Sequence, residues 1–322
     1  MNNVHWRMKD EATMTIQLVP RAYEDARDLA RIRDMHIAGR AANNGTYYVH
    51  CGDLDWWFNN PPDEADRRES LRLWEAEGKL LGWCLHMRSD HSFDFFAHPD
   101  ERGSERAMAM LWWGVAWATE RARAAGGDKL TNIWINDTDN VSLQQWGACG
   151  FVATEPAGGP IFMQSLGREI EASVLPAGFA ICDARTEDDF RLHAEAMHGA
   201  FGIERPWDAY WQKRLGYFHS PAYAGEHNLV VRSPDGHGTA ACIIWLDHTN
   251  KVGLFEPVGT HPHFQKMGLG KAVMREGLRR MKAAGMTHAS VGTGADNVAA
   301  IALYRFLGFE DHVMSTNLVK RW

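Results

Sequence analysis

The sequence predicts an α/β (α+β) chain made of two tandem copies of one domain. Three observations predict it. At 322 residues the chain is long for a single compact domain. Strand-like and helix-like periodicities alternate along it. One set of landmarks also occurs twice. His98-Pro99 matches His261-Pro262, Asp139-Asn140-Val141 matches Asp296-Asn297-Val298, and Gly150-Phe151 matches Gly308-Phe309. The period is about 160 residues, too long for a solenoid and right for two copies of a domain.

Taken in order, residues 15–19 read as a first strand and 23–38 as a helix with one charged face. Residues 41–62 are aromatic and irregular, with Tyr47, Tyr48, Trp56, Trp57 and Phe58. Residues 64–74 fit a helix or an extended segment. Strands over 79–87 and 92–97 flank a Ser89-Asp90-His91 turn. A long helix follows over 106–125, then a strand over 130–135 and a helix opened by Asp139 and closed by Gly150. Gly158, Gly159, Pro160 and Pro176 mark a seam. The pattern restarts at residues 179–183 with a strand and a helix from Thr186 to about residue 200. The expected divisions are a tail over 1–14, domains over 15–165 and 178–322, and a linker over 166–177.

The second copy holds the most informative stretch. An extended run over 251–260 leads into Gln265-Lys266-Met267-Gly268-Leu269-Gly270-Lys271, and a helical pattern over 269–284 leaves it. A helix start offers unpaired backbone N–H groups and the positive end of a dipole. Glycine lets an anion approach them, and Lys266 and Lys271 add charge. A phosphate or pyrophosphate seat is expected. It is not a nucleotide P-loop, because Ala272 stands where Ser or Thr would meet magnesium. Nor is it a dinucleotide fingerprint, because Val273 replaces the third glycine. Downstream come a short strand over 288–293, Asp296-Asn297, a helical run with Leu303, Tyr304 and Leu307, and the stop Gly308-Phe309.

The Gln265-x-x-Gly268-x-Gly270 loop, with Asn297, Tyr304 and Gly308-Phe309 behind it, resembles the GNAT superfamily of acyl-CoA N-acyltransferases, in its tandem two-domain form. The resemblance is strong over 226–322 and good over 178–322. It implies two GNAT-like domains, each a mixed, mostly antiparallel, twisted sheet flanked by helices. It implies acetyl-CoA as donor substrate, with backbone from Lys266 to Lys271 on the pyrophosphate. Val258, Gly259 and Thr260 would bond the pantetheine amide as an added strand does. Asn297 would reach the pantetheine arm, cap a helix, or do both. Pro257 and Gly259 fit the bulge that opens the family's sheet, or a plain edge strand.

Acetyl transfer to an amine needs a base, since an alkyl ammonium has a pKa of roughly 10. Glu256 precedes the expected opening, where burial would raise its pKa to a useful value. A one-residue shift in register would instead turn it to the opposite face. His261 and His219 are weaker alternatives. Tyr304 resembles the family's general acid, toward the leaving thiolate; its other role is a core tyrosine beside Leu303 and Leu307. Aromatic residues between Phe201 and Tyr223 form an acceptor lid or core. Trp56 and Trp57 are the first copy's candidates for lining a substrate cleft.

The first copy departs from the pattern. Counted from His98-Pro99, Glu105 falls where Gly268 stands and Ala107 where Gly270 stands. Trp146 takes the place of Tyr304. A carboxylate repels pyrophosphate and a Cβ narrows its approach. The first copy is expected to be degenerate, a pocket wall rather than a second active site.

Composition excludes several classes. Net charge is −7 without a basic run, against nucleic acid as a partner. No apolar stretch approaches the length of a membrane span, and residues 1–14 lack a signal-peptide core. Five scattered cysteines read as reduced thiols of a cytoplasmic protein. No metal is expected from the sixteen histidines, none of which form an H-x-x-x-H pair. The expected function is N-acetyl transfer to a primary amine of a small molecule by a monomer or homodimer. The alternative is a non-catalytic acyl-CoA sensor or scaffold, which would not need Glu256 or Tyr304.

Overall fold

A computed structural model describes residues 19–43, 45, 47–59, 64–155 and 158–322. The first half runs β1 (Arg21–Ala22), α1 (Ala26–Ala42), α2 (Cys51–Asn59), α3 (Glu64–Ser70), β2 (Leu71–Ala76), β3 (Lys79–His86), β4 (Phe93–Ala97), α4 (Glu105–Ala124), β5 (Lys129–Asn136), α5 (Asn140–Ala148) and β6 (Val152–Ala153). Strand β7 (Pro160–Ser165) follows. The second half runs β8 (Ala180–Asp183), α6 (Glu187–Ala200), α7 (Trp207–Phe218), β9 (Asn228–Arg232), β10 (Gly238–Asp247), β11 (Val252–Thr260), α8 (Leu269–Ala283), β12 (His288–Gly292), α9 (Val298–Leu307) and β13 (Glu310–Arg321). The strand expected over 15–19 lies, except for Val19, outside the described residues.

Local chemistry explains most of these boundaries. Thr186 and Asp189 form a reciprocal capping box at the start of α6. Asp139 accepts from Ser142 N to start α5, and Asn297 accepts from Ala300 N to start α9. Gly308, at φ 89°, stops α9 in the left-handed region that favours glycine. Residues 64–74 divide, with helix to Ser70 and strand from Leu71. The stretch over 41–62 is not irregular throughout, because α2 crosses its second part. His50 N donates to Asp53 Oδ2 at 2.9 Å to open that helix.

The sheets are mostly antiparallel and their order interlocks the halves. One sheet is β1-β2-β3-β4, and the other is β5-β13-β7-β12-β11-β10-β9-β8. Strand β7, just before the linker expected over 166–177, lies between β12 and β13 of the second half. Strand β13, the last, pairs in turn with β5 of the first half. The two copies therefore share a sheet across the expected boundary at 165.

Alternation along β10 divides the second half into two layers. Ala240, Cys242 and Ile244 face α8, whereas Ile243 and Trp245 face α6 and α7. Phe255 of β11 faces α8 and is fully buried there; a Cβ on Gly277 would come within 2.4 Å of its ring. Burying such a side chain stabilises by roughly 2–3 kcal/mol. Glu256, its neighbour in sequence, consequently points to the other face. On that face α2 of the first half is seated. His50 Nε2 bonds Val252 O at 3.1 Å, and Gly52 rests on Trp245, where an added Cβ would lie 2.3 Å from the Trp245 Cβ.

Candidate active site

Strands β11 and β12 run parallel only from Val252–Phe255 against His288–Val291. Beyond Phe255 they no longer pair, and β11 continues with β10 alone. The cause lies in β11. Residues 256 and 257 both stand opposite Ile243, a bulge of the expected kind, and Pro257 has no N–H to give a ladder. The Glu256–Pro257 peptide is cis. The sheet thus opens at Glu256, and Val258, Gly259 and Thr260 border the opening.

At the far end of β11 the chain turns through His261, whose Nδ1 accepts from His263 N at 3.3 Å. His261 therefore begins the loop. The loop Gln265-Lys266-Met267-Gly268 then enters α8. Gly268 adopts φ 82° as N-cap, and its side supplies no capping oxygen. A Cβ there would meet nothing within 4 Å. Among the described residues, the backbone N–H groups from Lys266 to Lys271 donate to no protein acceptor. Gly270 closes against β11, with an added Cβ 2.8 Å from Thr260 Oγ1. Lys271 extends its ammonium over the exposed Phe306 ring at 4.3 Å. An anion seat of open N–H groups therefore lies at the mouth of the opened sheet.

The first half has filled the equivalent places with its own side chains. Ser104 caps α4 by accepting from Ala107 N at 3.0 Å. Its β4 and β5 meet only at a Ser92–Thr131 bridge, and Asn132 closes the space beyond. That amide donates to Asp94 Oδ1 at 2.8 Å and to Phe93 O at 3.1 Å. Phe93 packs on Gly114 of α4 as Phe255 packs on Gly277 of α8. It packs on Trp146 with ring centroids 5.6 Å apart. An apolar ring, Trp146, thus stands at the position of Tyr304, and Asp94, held by Asn132, stands at that of Glu256.

Glu256 opens on a cavity of about 500 Å³ between the halves. The second half supplies Leu254, Ser290, Thr293, Asp296 and His312 among others, and the first supplies Arg40, Tyr47, Asp53, Trp134 and Asn136. Burial, with the Asp53 charge added, pushes the Glu256 carboxyl up to about 8. Burial pushes Asp53 up to about 7, against the pull of Arg40. Tyr304 does not line this cavity: it is buried in the core on the α8 side of the sheet, edge-on to Phe162 at 5.8 Å. Burial raises its phenol pKa above the ordinary value, and the Glu256 charge adds to the rise.

One expectation needs correction. Trp56 and Trp57 do not line the cavity. They sit on α2, Trp56 against Tyr217 at 5.4 Å and Trp57 behind Trp134 at 4.8 Å. Of the aromatic residues over 201–223, Tyr210, Trp211 and Tyr217 are core, buried with Phe190 and Trp245, whereas Phe201 is exposed. His219 is exposed at the end of α7. Asn297 spends its oxygen on Ala300 N at 3.2 Å.

Sequence spacing also missed a buried group at the interface, His50, Cys51 and Asp247, whose donor atoms lie within 4.8 Å of one another. Protein hydrogen bonds engage the His50 and Asp247 atoms. His50 Nδ1 accepts from Gly52 N at 3.0 Å and so leaves the proton on Nε2. Asp247 accepts from the backbone of Thr249 and Asn250. Burial pushes the Cys51 thiol up to about 12, away from the thiolate a metal takes. The set reads as a hydrogen-bonded interface.

Comparison with known proteins places the chain beside acetyltransferases. Residues 186–309 match the model of the Acetyltransferase (GNAT) family. The chain is 28% identical over 242 residues to a mycothiol acetyltransferase of Saccharopolyspora erythraea, covering 66% of this chain and 77% of that protein. It is 25% identical over 283 residues to a mycothiol acetyltransferase of Actinosynnema mirum, covering 85% and 80%. A tandem GNAT protein from the clavulanic acid biosynthesis pathway superposes with a TM-score of 0.67 at 15% identity, covering 94% of this chain and 97% of that one.

Proposed function

We propose that this chain, an acetyltransferase with a GNAT domain over residues 186–309, moves an acetyl group from acetyl-CoA to a primary amine of a small molecule, and that the C-terminal half does the chemistry. One observation carries this: the opened sheet has an anion seat at one end and Glu256, facing a cavity, at the other. The residues fit a CoA donor, because the space beside Gly268 and the open N–H groups are where a pyrophosphate needs them. The first half, 15–165 in this reading, serves as a degenerate wall. Its filled opening and capped α4 support that role.

When bound, acetyl-CoA supplies an activated carbonyl carbon and a thiol leaving group. Backbone N–H groups from Lys266 to Lys271 hold its pyrophosphate, and the free edge at Val258, Gly259 and Thr260 aligns the pantetheine. The remaining amide protons of Asn297 reach the same arm. Glu256 takes a proton from the acceptor ammonium. With a pKa of about 8 it is a stronger base than an ordinary carboxylate. Its active form is the anion, so amine turnover rises as pH passes upward through that value. Tyr304 acts from the opposite side of the sheet. Its raised pKa keeps the phenol protonated. A thiol has a pKa of roughly 8.5, so Tyr304 stabilises the leaving sulfur chiefly by donating a hydrogen bond.

Tyr304→Phe is therefore expected to lower turnover about ten- to hundredfold and to change acetyl-CoA affinity by less than about twofold. Thiol release with a panel of primary amines, beside calorimetry with acetyl-CoA, measures both. Equal turnover in the variant would remove Tyr304 from the chemistry. The same panel tests the function, since release with no amine would refute amine acetylation. A cytoplasmic setting is part of the proposal, supported by five free thiols. Among the described residues no helix is long and apolar enough to cross a membrane.

A further inference from the structure

Glu256 does not face the cavity alone. The start of α2 is fixed to β11 at two points. His50 bonds Val252 O. Gly52 rests on Trp245, whose Nε1 donates to Glu256 O at 2.6 Å. The residue after Gly52 is Asp53, which is buried and lines the same cavity. We infer that Asp53 of the first half and Glu256 of the second form one carboxyl pair that seats the acceptor's ammonium group, so that the acceptor site is completed only by both halves. This rests on the proposed acetyl transfer and goes further, since it makes a residue of the non-catalytic copy a determinant of acceptor binding.

The charges around the pair favour a cation. From α1 comes Arg40, buried, with Nε 4.0 Å from Asp247 Oδ2 of β10. Arg40 also acts on Asp53, so this one cation is set against three acids, Asp53, Asp247 and Glu256. His50, before α2, is held neutral by burial and by Arg40, its pKa near 3. His312 of β13 has a pKa lowered by burial and by Arg40. Asp296, beyond β12, is exposed and adds negative charge at the mouth. Tyr304 is protonated. Two neighbouring buried carboxyls share protons and titrate as a pair, so near neutrality they carry about one negative charge between them. An entering ammonium pairs with that charge and gives it one proton. The freed nitrogen lone pair forms the C–N bond to the acetyl carbonyl carbon. The C–S bond breaks with its electrons on sulfur, and the second nitrogen proton passes to sulfur. The pair then returns its proton to solvent, leaving an acetamide and a thiol.

Asp53→Asn tests this, because it keeps an oxygen to accept from His50 N while removing the charge. Asp53→Ser keeps a capping oxygen by another route and serves as the second variant. With 2-aminoethanol, glucosamine and spermidine as acceptors, Asp53→Asn is expected to raise the amine KM about tenfold or more. The acetyl-CoA dissociation constant and the melting temperature should not move. Loss of the neighbouring charge lowers the Glu256 pKa, so the acid limb of kcat/KM should shift to lower pH. An unchanged KM and limb in both variants would overturn the pair and leave the acetyl-transfer proposal standing. If none of the three amines is acetylated, infrared titration of the free protein decides the pair without turnover. The protonated-carboxyl stretch of Glu256, identified by its loss in Glu256→Gln, should titrate at lower pH in Asp53→Asn than in wild type. Asp94 and Asp55, the other acids among the described residues whose pKa burial raises, contribute to all these spectra. A Glu256 band that titrates identically with and without Asp53 would overturn the pair.

Discussion

Glu256→Gln is expected to lower amine acetylation by about two to three orders of magnitude, while acetyl-CoA still binds within about twofold of wild type. The glutamine keeps the shape of the side chain and removes the one proton acceptor that β11 turns toward the cavity. The donor contacts proposed above lie elsewhere, on the strand edge and the α8 loop, so the loss should fall on kcat. Above the wild-type limb near pH 8 the two enzymes should differ most. Below it, where the wild-type carboxyl is also protonated, the gap should narrow. Rates from pH 6 to 9.5, measured with thiol detection, check both parts. A variant that retains wild-type turnover would mean that water or another group takes the ammonium proton.

Gly270→Glu is expected to weaken acetyl-CoA binding by more than about a hundredfold, the other large effect. Its Cβ would come within 2.8 Å of Thr260 Oγ1, a hydroxyl that can turn aside. The carboxylate then lies among the N–H groups that a pyrophosphate needs. A glutamate in the first turn of a helix favours the helix itself, so the melting temperature should stay within a few degrees of wild type. Calorimetry and thermal unfolding on one preparation separate the two effects. Undiminished affinity in a folded variant would place the pyrophosphate away from α8.

The backbone features of the proposed donor side were legible in the sequence, and those of the proposed acceptor side mostly were not. The anion seat, the strand feeding it and the helix bearing Tyr304 are local features. Gly268, Pro257 and Gly308 each act through their own backbone, and sequence order reports them directly. The direction of Glu256 required the register of β11, which depends on Phe255 finding Gly277 on the helix packed against the sheet. Asp53 was out of reach, because some 200 residues separate it from Glu256 and only the docking of α2 on Trp245 joins them. Helix α2 itself was hidden by its sequence. Glycine, two aspartates and three consecutive aromatic residues over 51–59 look like a loop when read alone. Trp56 and Trp57 were accordingly placed in the cleft, although they fasten α2 to its neighbours. The sharing of β7 and β13 between halves was hidden for a similar reason: a strand's own pattern does not name its partner.

The central claim is that a chain with two copies of the fold has one working donor site. Calorimetric titration of purified protein with acetyl-CoA tests it most directly. The account predicts one site per chain, lost in Gly270→Glu. Two sites per chain would contradict it, and would mean that Ser104, Asn132 and the Phe93–Trp146 pair leave room for a donor in the first half after all.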